Sequence, residues 1–213
     1  LTLVKPEGQL EVSIERRPMP APKPHEVLVK VLAAPINPSD LGLLFGGADM
    51  STARASTRDG LPVITADVPP AGMRAMSGRI GDALAIGNEG CGTVVAAGDT
   101  PEAQALLGKT VALLGGEMYA EYRCLPVQMV MPLPDGTDPA DGASCFVNPL
   151  TSLAFTETMR MENHSAIVHT AAASNLGQML VKICAKDGIP LVNIVRSDAQ
   201  VEILKGIGAK YIV

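Results

Sequence analysis

The segment HTAAASNLGQ, residues 169–178, has the small residues that a phosphate-binding loop needs between a strand and a helix. In a G-x-G-x-x-G loop, the first glycine permits a sharp turn, the second lets main-chain N–H groups approach a pyrophosphate, and the third lets the helix pack closely on the sheet. Here Ala172 and Ser174 take the first two places and Gly177 keeps the third. We predict a dinucleotide site, although a strand-to-helix turn without a ligand is the alternative. The predicted contacts are Ala172, Ser174, Asn175, Leu176 and Gly177.

An arginine stands where the next strand should end. Strands that bind NAD usually end in Asp or Glu, which holds the ribose hydroxyls. The sequence NIVRS has Arg196 at this place, followed by Ser197. A guanidinium is always charged and can bind phosphate oxygens through two hydrogen bonds, so it suits a 2′-phosphate. We therefore predict NADPH as the cofactor, held by Arg196 and Ser197. An arginine on a solvated edge is the alternative interpretation.

These residues are positioned by strands that alternate with helices after residue 135. The pattern predicts strands at 166–170, 191–195 and 211–213, with helices at about 175–186 and 198–205. Such alternation predicts a parallel sheet with right-handed crossovers, and three strands are half of a doubly wound nucleotide domain. We therefore expect a C-terminally truncated protein.

Two local signals refine these helices. Leu176, Met179, Leu180 and Ile183 recur at helical spacing and predict a buried stripe. Ser197 with Gln200 predicts a capping box at the start of the second helix.

The first 135 residues lack this alternation, and their pattern predicts short strands bounded by glycine and proline. Predicted strands lie at 10–15, 26–32, 92–97 and 110–114, which indicates a β-rich, barrel-like module. Residues 46–87 have no strand or helix period, and we expect a functional or mobile loop there. Its four arginines either bind an anionic substrate tail or face solvent: Arg54, Arg58, Arg74 and Arg79.

Composition excludes several classes of protein. The 213 residues are 47% hydrophobic and carry a net charge of −5, which is enough for a sizeable core and does not favour nucleic-acid binding. No apolar run approaches the roughly 20 residues of a membrane span. The four cysteines are scattered, which gives no sign of a disulfide framework and makes the reducing cytoplasm the expected location.

Several segments in order resemble the medium-chain dehydrogenase/reductase superfamily, most closely its zinc-free quinone oxidoreductases and enoyl thioester reductases. They are VLVKVLAAPINPSDL (27–41), GNEGCGTVVAAGD (87–99), MYAEYRCLP (118–126) and VNPLTSLAF (147–155). The resemblance implies an α/β protein with a GroES-like β-barrel domain at 1–135, which carries substrate contacts, and a partial NADP-binding Rossmann domain at 136–213. It also implies hydride transfer from NAD(P)H to a small molecule, and a homodimer at full length.

The resemblance also bears on metal binding. Zinc-dependent relatives have a cysteine where Asn37 stands and a histidine where Asn88 stands, and asparagine is not a usual zinc ligand. Glu89 alone cannot hold the ion, so no metal site is expected. The three histidines are scattered and are more typical of surface or strand positions than of ligands: His25, His164 and His169.

The resemblance implies roles for individual residues. Asn37 would donate a hydrogen bond to negative charge developing on a substrate oxygen, although Asn-Pro-Ser-Asp is equally good turn and cap chemistry. Thr151 would lie beside the nicotinamide, or is only a first-turn helix residue. Enoyl thioester reductases have a tyrosine shortly after NPSD, where this chain has only Phe45. Tyr119 faces the substrate or packs in the interior.

Two functions follow. The first is a zinc-independent, NADPH-dependent oxidoreductase that transfers hydride to an enone, a quinone or an enoyl thioester. The second is a structural or sensory protein that binds the cofactor with little turnover, since a fold alone does not fix an activity.

Overall fold

The computed structural model describes all 213 residues, and the chain divides into two compact units, Leu1–Ala143 and Ser144–Val213. The division falls eight residues after the boundary predicted at 135/136, because the short helix Pro139–Gly142 packs on strands of the first unit. The assignment of substrate and cofactor roles to the two parts stays a prediction.

The first unit contains ten strands, four α-helices and two short 3₁₀ turns. The strands are β1 Thr2–Lys5, β2 Gln9–Ser13, β3 Glu26–Ala33, β4 Asp49–Arg58, β5 Leu61–Asp67, β6 Ala83–Leu84, β7 Glu89–Ala97, β8 Thr110–Leu114, β9 Tyr122–Pro126 and β10 Val130–Pro132. The helices are α1 Pro38–Phe45, α2 Pro70–Ala75, α3 Pro101–Gln104 and α4 Pro139–Gly142, with 3₁₀ turns at Ser77–Arg79 and Val127–Met129.

These strands form two five-stranded sheets, in the orders β4-β5-β2-β1-β6 and β10-β8-β7-β3-β9, and every strand pair in them is antiparallel. The second sheet supplies most of the core of this unit. Its buried side chains include Val27, Val29, Val94, Val111, Leu113 and Leu125. The β-rich module expected from the sequence is therefore present.

The prediction that residues 46–87 lack regular structure is wrong. Strands β4 and β5 form a hairpin whose turn is Asp59-Gly60, and both turn residues have positive φ, 52° and 74°. Such a turn matches the right-handed twist of paired strands. The sequence did not predict β4 because nearly every residue of this strand is exposed, and the strand therefore lacks an alternation of apolar and polar residues.

The second unit has the predicted alternation of strands and helices. It comprises α5 Val147–Met161, β11 Ile167–His169, α6 Asn175–Asp187, β12 Leu191–Asn193, α7 Asp198–Gly206 and β13 Tyr211–Ile212. The three strands are parallel, in the order β11-β12-β13. The expected α/β class is confirmed.

The buried face of α6 is displaced from the predicted stripe. Leu180 is fully buried as expected, but its buried neighbours are Val181 and Cys184, whereas Met179 and Ile183 are only partly covered. The face differs because α6 packs against α5 as well as against the sheet. No helix in either unit has the length and apolar character that crossing a membrane requires.

Candidate functional site

The start of α6 presents two free main-chain donors. Ser174 is the N-cap, and its hydroxyl oxygen accepts a hydrogen bond of 3.1 Å from the N–H of Gly177. The N–H groups of Asn175 and Leu176 have no acceptor in the protein. Unpaired amides at a helix start carry partial positive charge and can bind an anion such as a phosphate. The hydroxyl of Ser174 is exposed and keeps its own proton for a further hydrogen bond.

Gly177 holds this helix start against the loop that precedes it. A Cβ atom at this position would lie 2.2 Å from the carbonyl oxygen of Ala172 and 2.8 Å from that of Ala171. No other residue fits without moving main chain. Ala172 itself is buried, so it contributes to the shape of the turn rather than to an exposed surface.

Arg196 follows the carboxyl end of β12, next to the end of β11 that leads into α6. The two strands are parallel neighbours, with His169 opposite Asn193, so Arg196 and Ser174 follow strand ends at the same edge of the sheet. The main-chain N–H of Arg196 donates to Oε1 of Gln200 at 2.9 Å. Its guanidinium is exposed and makes no hydrogen bond or ion pair with the protein.

The capping box predicted at α7 is only partly formed. Ser197 is the N-cap, but its hydroxyl makes no capping hydrogen bond, and Gln200 reaches the N–H of Arg196 instead of that of Ser197. The Ser197 side chain is exposed at the same strand end as Arg196.

Thr151 lies in the first turn and a half of α5. Its hydroxyl donates to the carbonyl oxygen of Val147 at 2.7 Å, and its side chain is half-buried. The neighbouring Ser152, which the sequence reasoning did not single out, is fully buried and contacts the carbonyl oxygens of Asn148 at 2.9 Å and Leu176 at 3.2 Å. Ser152 therefore fixes α5 against the start of α6.

In the first unit, a buried hydrogen-bond network joins the segments NPSD and GNEG. The side-chain amide of Asn37 donates to Oε1 of Glu89 at 3.0 Å, and its main-chain N–H donates to Oδ2 of Asp40 at 2.8 Å. Asn88 donates its main-chain N–H to Oδ1 of Asp40 at 3.2 Å and its amide to Oγ of Ser39 at 2.9 Å. Asn37 is 6% exposed, and Asp40 and Glu89 are 0% exposed.

Tyr119 lies beside this network, in the turn before β9. Its hydroxyl donates to the carbonyl oxygen of Pro35 at 3.1 Å, and its main-chain N–H donates to the carbonyl oxygen of Ile86 at 2.9 Å. Partial burial of the phenol, together with the charge and hydrogen bonding of Asp40, raises the pKa of Tyr119 to about 12. The residue is 39% exposed, so solvent reaches it.

Metal-binding side chains are not grouped in this chain. No three His, Cys, Asp or Glu residues come close enough together to hold an ion. None of the four cysteines forms a disulfide. The histidines are likewise apart: His164 contacts Glu162, and His169 packs at a tilted angle on the ring of Phe155 at 6.0 Å.

Two of the four arginines in residues 46–87 are engaged within the fold. Arg58 forms an ion pair of 2.7 Å with buried Glu11. Arg79 donates to the carbonyl oxygen of Leu43 at 2.8 Å and to the hydroxyl of Thr2 at 3.0 Å. These contacts leave Arg54 and Arg74 as the arginines of this segment whose side chains face solvent without a protein partner.

The sequence model of the family described as "Alcohol dehydrogenase GroES-like domain" matches residues 23–135, which is more than half of the chain. The chain belongs to this family. It is a member of the medium-chain dehydrogenase/reductase superfamily, as the resemblance predicted. The GroES-like match lies within the first unit and covers the Asn37 network and Tyr119.

Individual relatives agree with this membership. Prostaglandin reductase-3 of Mus musculus is 26% identical over 210 residues, covering 98% of this chain and 48% of the relative. The mitochondrial enoyl-[acyl-carrier-protein] reductase of Bos taurus is 28% identical over 204 residues, covering 88% and 44%. The chain thus spans about half the length of the curated relatives it matches.

Solved structures support the same fold. The crystal structure of a candidate NADPH:quinone reductase from Mesorhizobium loti is 33% identical with a TM-score of 0.64, covering 92% of this chain and 50% of that one. The Escherichia coli quinone oxidoreductase complexed with NADPH has a TM-score of 0.67 and 18% identity, covering 100% and 57%. The latter likeness concerns the fold alone.

Proposed function

We propose that this protein is an NADPH-dependent oxidoreductase that transfers hydride to an activated double bond or a quinone without using zinc. The observation that carries the proposal is the free donor set at one edge of the parallel sheet. It consists of the two unpaired amides at the start of α6 and the unpaired guanidinium of Arg196. The names of the relatives, which are reductases of enoyl groups, prostaglandins and quinones, support the same chemistry.

The residues of this edge fit the phosphates of NADPH. The N–H groups of Asn175 and Leu176 and the hydroxyl of Ser174 would bind the pyrophosphate. Gly177 would keep the helix start packed against the loop at Ala172, since an added Cβ would lie 2.2 Å from the carbonyl oxygen of Ala172. Arg196 would bind the 2′-phosphate, with the Ser197 hydroxyl beside it. Thr151 would contact the nicotinamide end through the lone pairs of its hydroxyl oxygen. When bound, the reduced nicotinamide supplies a hydride.

Zinc independence is supported by the chemistry of the first unit. Asn37 and Asn88 stand at the two positions where zinc-dependent relatives have metal ligands. The side-chain amides of both residues donate to neighbouring side chains. One amide hydrogen of Asn37 is bound to Glu89, and the second would stabilise negative charge on a substrate oxygen. Polarisation by hydrogen-bond donors would thus replace polarisation by a metal ion.

We also propose a small-molecule substrate of the enone, quinone or enoyl thioester class, with no nucleic-acid partner. A homodimer of the full-length protein and a cytoplasmic location remain predictions. Gel filtration with light scattering would test the first of these, and fractionation of cells that express the full-length protein would test the second.

The proposed function is tested by two measurements on one preparation. NADPH binding is followed by nucleotide fluorescence, and turnover is followed by loss of NADPH absorbance with a panel of enones and quinones. Tight binding with turnover on at least one acceptor supports the proposal. Tight binding without any turnover favours the structural or sensory alternative, and the absence of binding contradicts both.

A further inference from the structure

The second unit contains a cavity of about 150 Å³ at the carboxyl end of α6. Its walls come from the last turns of α6, from β12 and from the turn that leads into β13. We propose that this cavity binds a small uncharged molecule, about the size of a benzene ring, whose single hydroxyl group donates a hydrogen bond to Oδ1 of Asn193. This ligand is separate from the cofactor and the substrate of the proposed function.

The side chain of Asn193 has a buried acceptor that nothing in the protein satisfies. The residue is 1% exposed and lies on the buried face of β12. Its Nδ2 atom donates to the carbonyl oxygens of Leu191 at 3.3 Å and Tyr211 at 3.1 Å. Because a carbonyl oxygen can only accept, the nitrogen of the amide must be the atom that faces these two groups. The Oδ1 atom is therefore the one left over, and it is buried without a hydrogen-bond partner.

An unpaired acceptor in this place calls for a donor from outside the protein. Nearly all buried polar groups in proteins have a partner, so an exception needs an explanation. Asn193 lines the cavity, and a hydroxyl group inside it would supply the missing donor. The nearby thiol of Cys184 does not fill this role, although burial raises its pKa and keeps it protonated.

The remaining walls favour a compact, uncharged ligand. Val181 and Leu191 are buried apolar residues of the lining, and Ile189 is partly buried beside them. An apolar cavity of about 150 Å³ is large enough for a benzene ring. Lys210 is the one charged residue of the lining, and it is exposed. An ion held deeper in the cavity would lose its hydration without gaining a charged partner, which is costly.

The cavity is distinct from the proposed phosphate site on the same helix. Ser174 caps the start of α6, whereas Cys184 of the cavity wall lies ten residues later. A helix rises about 1.5 Å per residue, so the two sites are about 15 Å apart along α6. Binding in the cavity can therefore be measured without NADPH, and failure of either proposal leaves the other standing.

The test compares phenol with anisole, which has the same ring but carries a methyl group in place of the hydroxyl hydrogen. Each compound is titrated into the ¹⁵N-labelled complete chain and followed by amide chemical shifts. We expect phenol to shift the signals of Leu191, Asn193 and Ala209 and to leave that of Gly177 in place. Phenol should bind about 5- to 100-fold more tightly than anisole, the range for satisfying a buried acceptor.

Two variants separate the hydrogen bond from the shape of the cavity. Asn193→Leu keeps a side chain of similar size but removes the acceptor, so phenol and anisole should bind equally well. Lys210→Gln is the control, because losing a charge at the rim should leave the affinity for an uncharged ligand unchanged. Asn193→Leu also loses the contact with Tyr211, so thermal unfolding must first show that it folds. If it does not fold, the two titrations of the wild type decide the question.

Several results would overturn the inference. One is equal affinity of the wild type for phenol and anisole, and another is no shift of the cavity signals with phenol at about 10 mM. A preference for phenol that persists in Asn193→Leu would place the hydroxyl contact elsewhere. Loss of phenol binding in Lys210→Gln would show that the rim charge, rather than the amide of Asn193, holds the ligand.

Discussion

The amide of Asn37 donates a 3.0 Å hydrogen bond to Oε1 of Glu89, across 52 residues of sequence. This bond joins the start of helix α1 to the start of strand β7, and both side chains are buried. Asn37, one of the two positions at which zinc-dependent relatives have a ligand, is therefore part of a network that holds the first unit together. A buried carboxylate needs such partners, since leaving it unpaired is costly.

Replacing Asn37 by Asp should destabilise the protein strongly at neutral pH. The change puts a second carboxylate at hydrogen-bond distance from Glu89, and an uncompensated buried charge costs about 3–5 kcal/mol. Repulsion raises the pKa of one carboxyl in the folded state, so the folded state binds more protons than the unfolded state. The free energy of unfolding should therefore fall as pH rises above about 4.

Urea denaturation of Asn37→Asp at several pH values measures this effect. Asn37→Ala serves as the control, because it loses the hydrogen bond, at a cost of about 1–3 kcal/mol, without adding a charge. If the free energy of unfolding depends on pH no more steeply in Asn37→Asp than in Asn37→Ala, the buried contact between Asn37 and Glu89 is incorrect.

Gly177→Ala should disrupt the start of α6. The added Cβ would overlap the carbonyl oxygen of Ala172 at 2.2 Å, and such overpacking costs about 1–3 kcal/mol. Gly206→Ala is the matched control in α7, where a Cβ has no atom within 4 Å. We expect this change to stabilise the protein by about 0.5–1 kcal/mol, because alanine favours helix. Thermal unfolding and NADPH titration of both variants check the prediction, which fails if the two alanines behave alike.

His169 should make stability depend on pH. Burial lowers the pKa of His169, and its Nδ1 atom is buried with no hydrogen-bond partner. At pH below the unfolded value of about 6.5, the unfolded state therefore binds more protons than the folded state. The free energy of unfolding should decrease as pH falls from about 6.5 towards 5, and it should not gain further from this group above that range.

His169→Phe removes this contribution while keeping an aromatic ring against Phe155. Chemical denaturation from about pH 5 to 8 should show a shallower slope in this variant than in the wild type. The exposed His25, replaced by Gln, controls for the loss of a histidine. An unchanged slope in His169→Phe would contradict the buried, neutral state of this side chain.

The second unit was predictable because its elements carry local signals. Ser174 and Ser197 precede the two helices, and short apolar runs form the three strands, so the boundaries of β11, α6, β12, α7 and β13 agree with the prediction within about two residues. The β4–β5 hairpin was not predicted, since its exposed strand has no periodicity and only Asp59-Gly60 marks the turn. That dipeptide was the signal available in the sequence.

The candidate site, too, could be predicted from the sequence only in part. The helix start at Ser174 depends on neighbours within a few residues, so sequence alone suggested it. The pairing of Asn37 with Glu89 and the placement of Tyr119 against Gly87 join positions 52 and 32 residues apart. Such contacts depend on strand register, which local patterns do not encode.

The central claim is that a free guanidinium at the end of β12 selects the phosphorylated cofactor. The direct measurement is the Kd of NADPH and of NADH for the wild type, Arg196→Ala and Lys182→Ala. Lys182 is an exposed cation of α6 without an ion pair, so its loss controls for net charge. We expect NADPH binding to weaken about 10- to 100-fold in Arg196→Ala alone, which is the range for a charge-assisted hydrogen bond. NADH binding should change little. Equal affinity for the two nucleotides in the wild type, unaltered by Arg196→Ala, would contradict the claim.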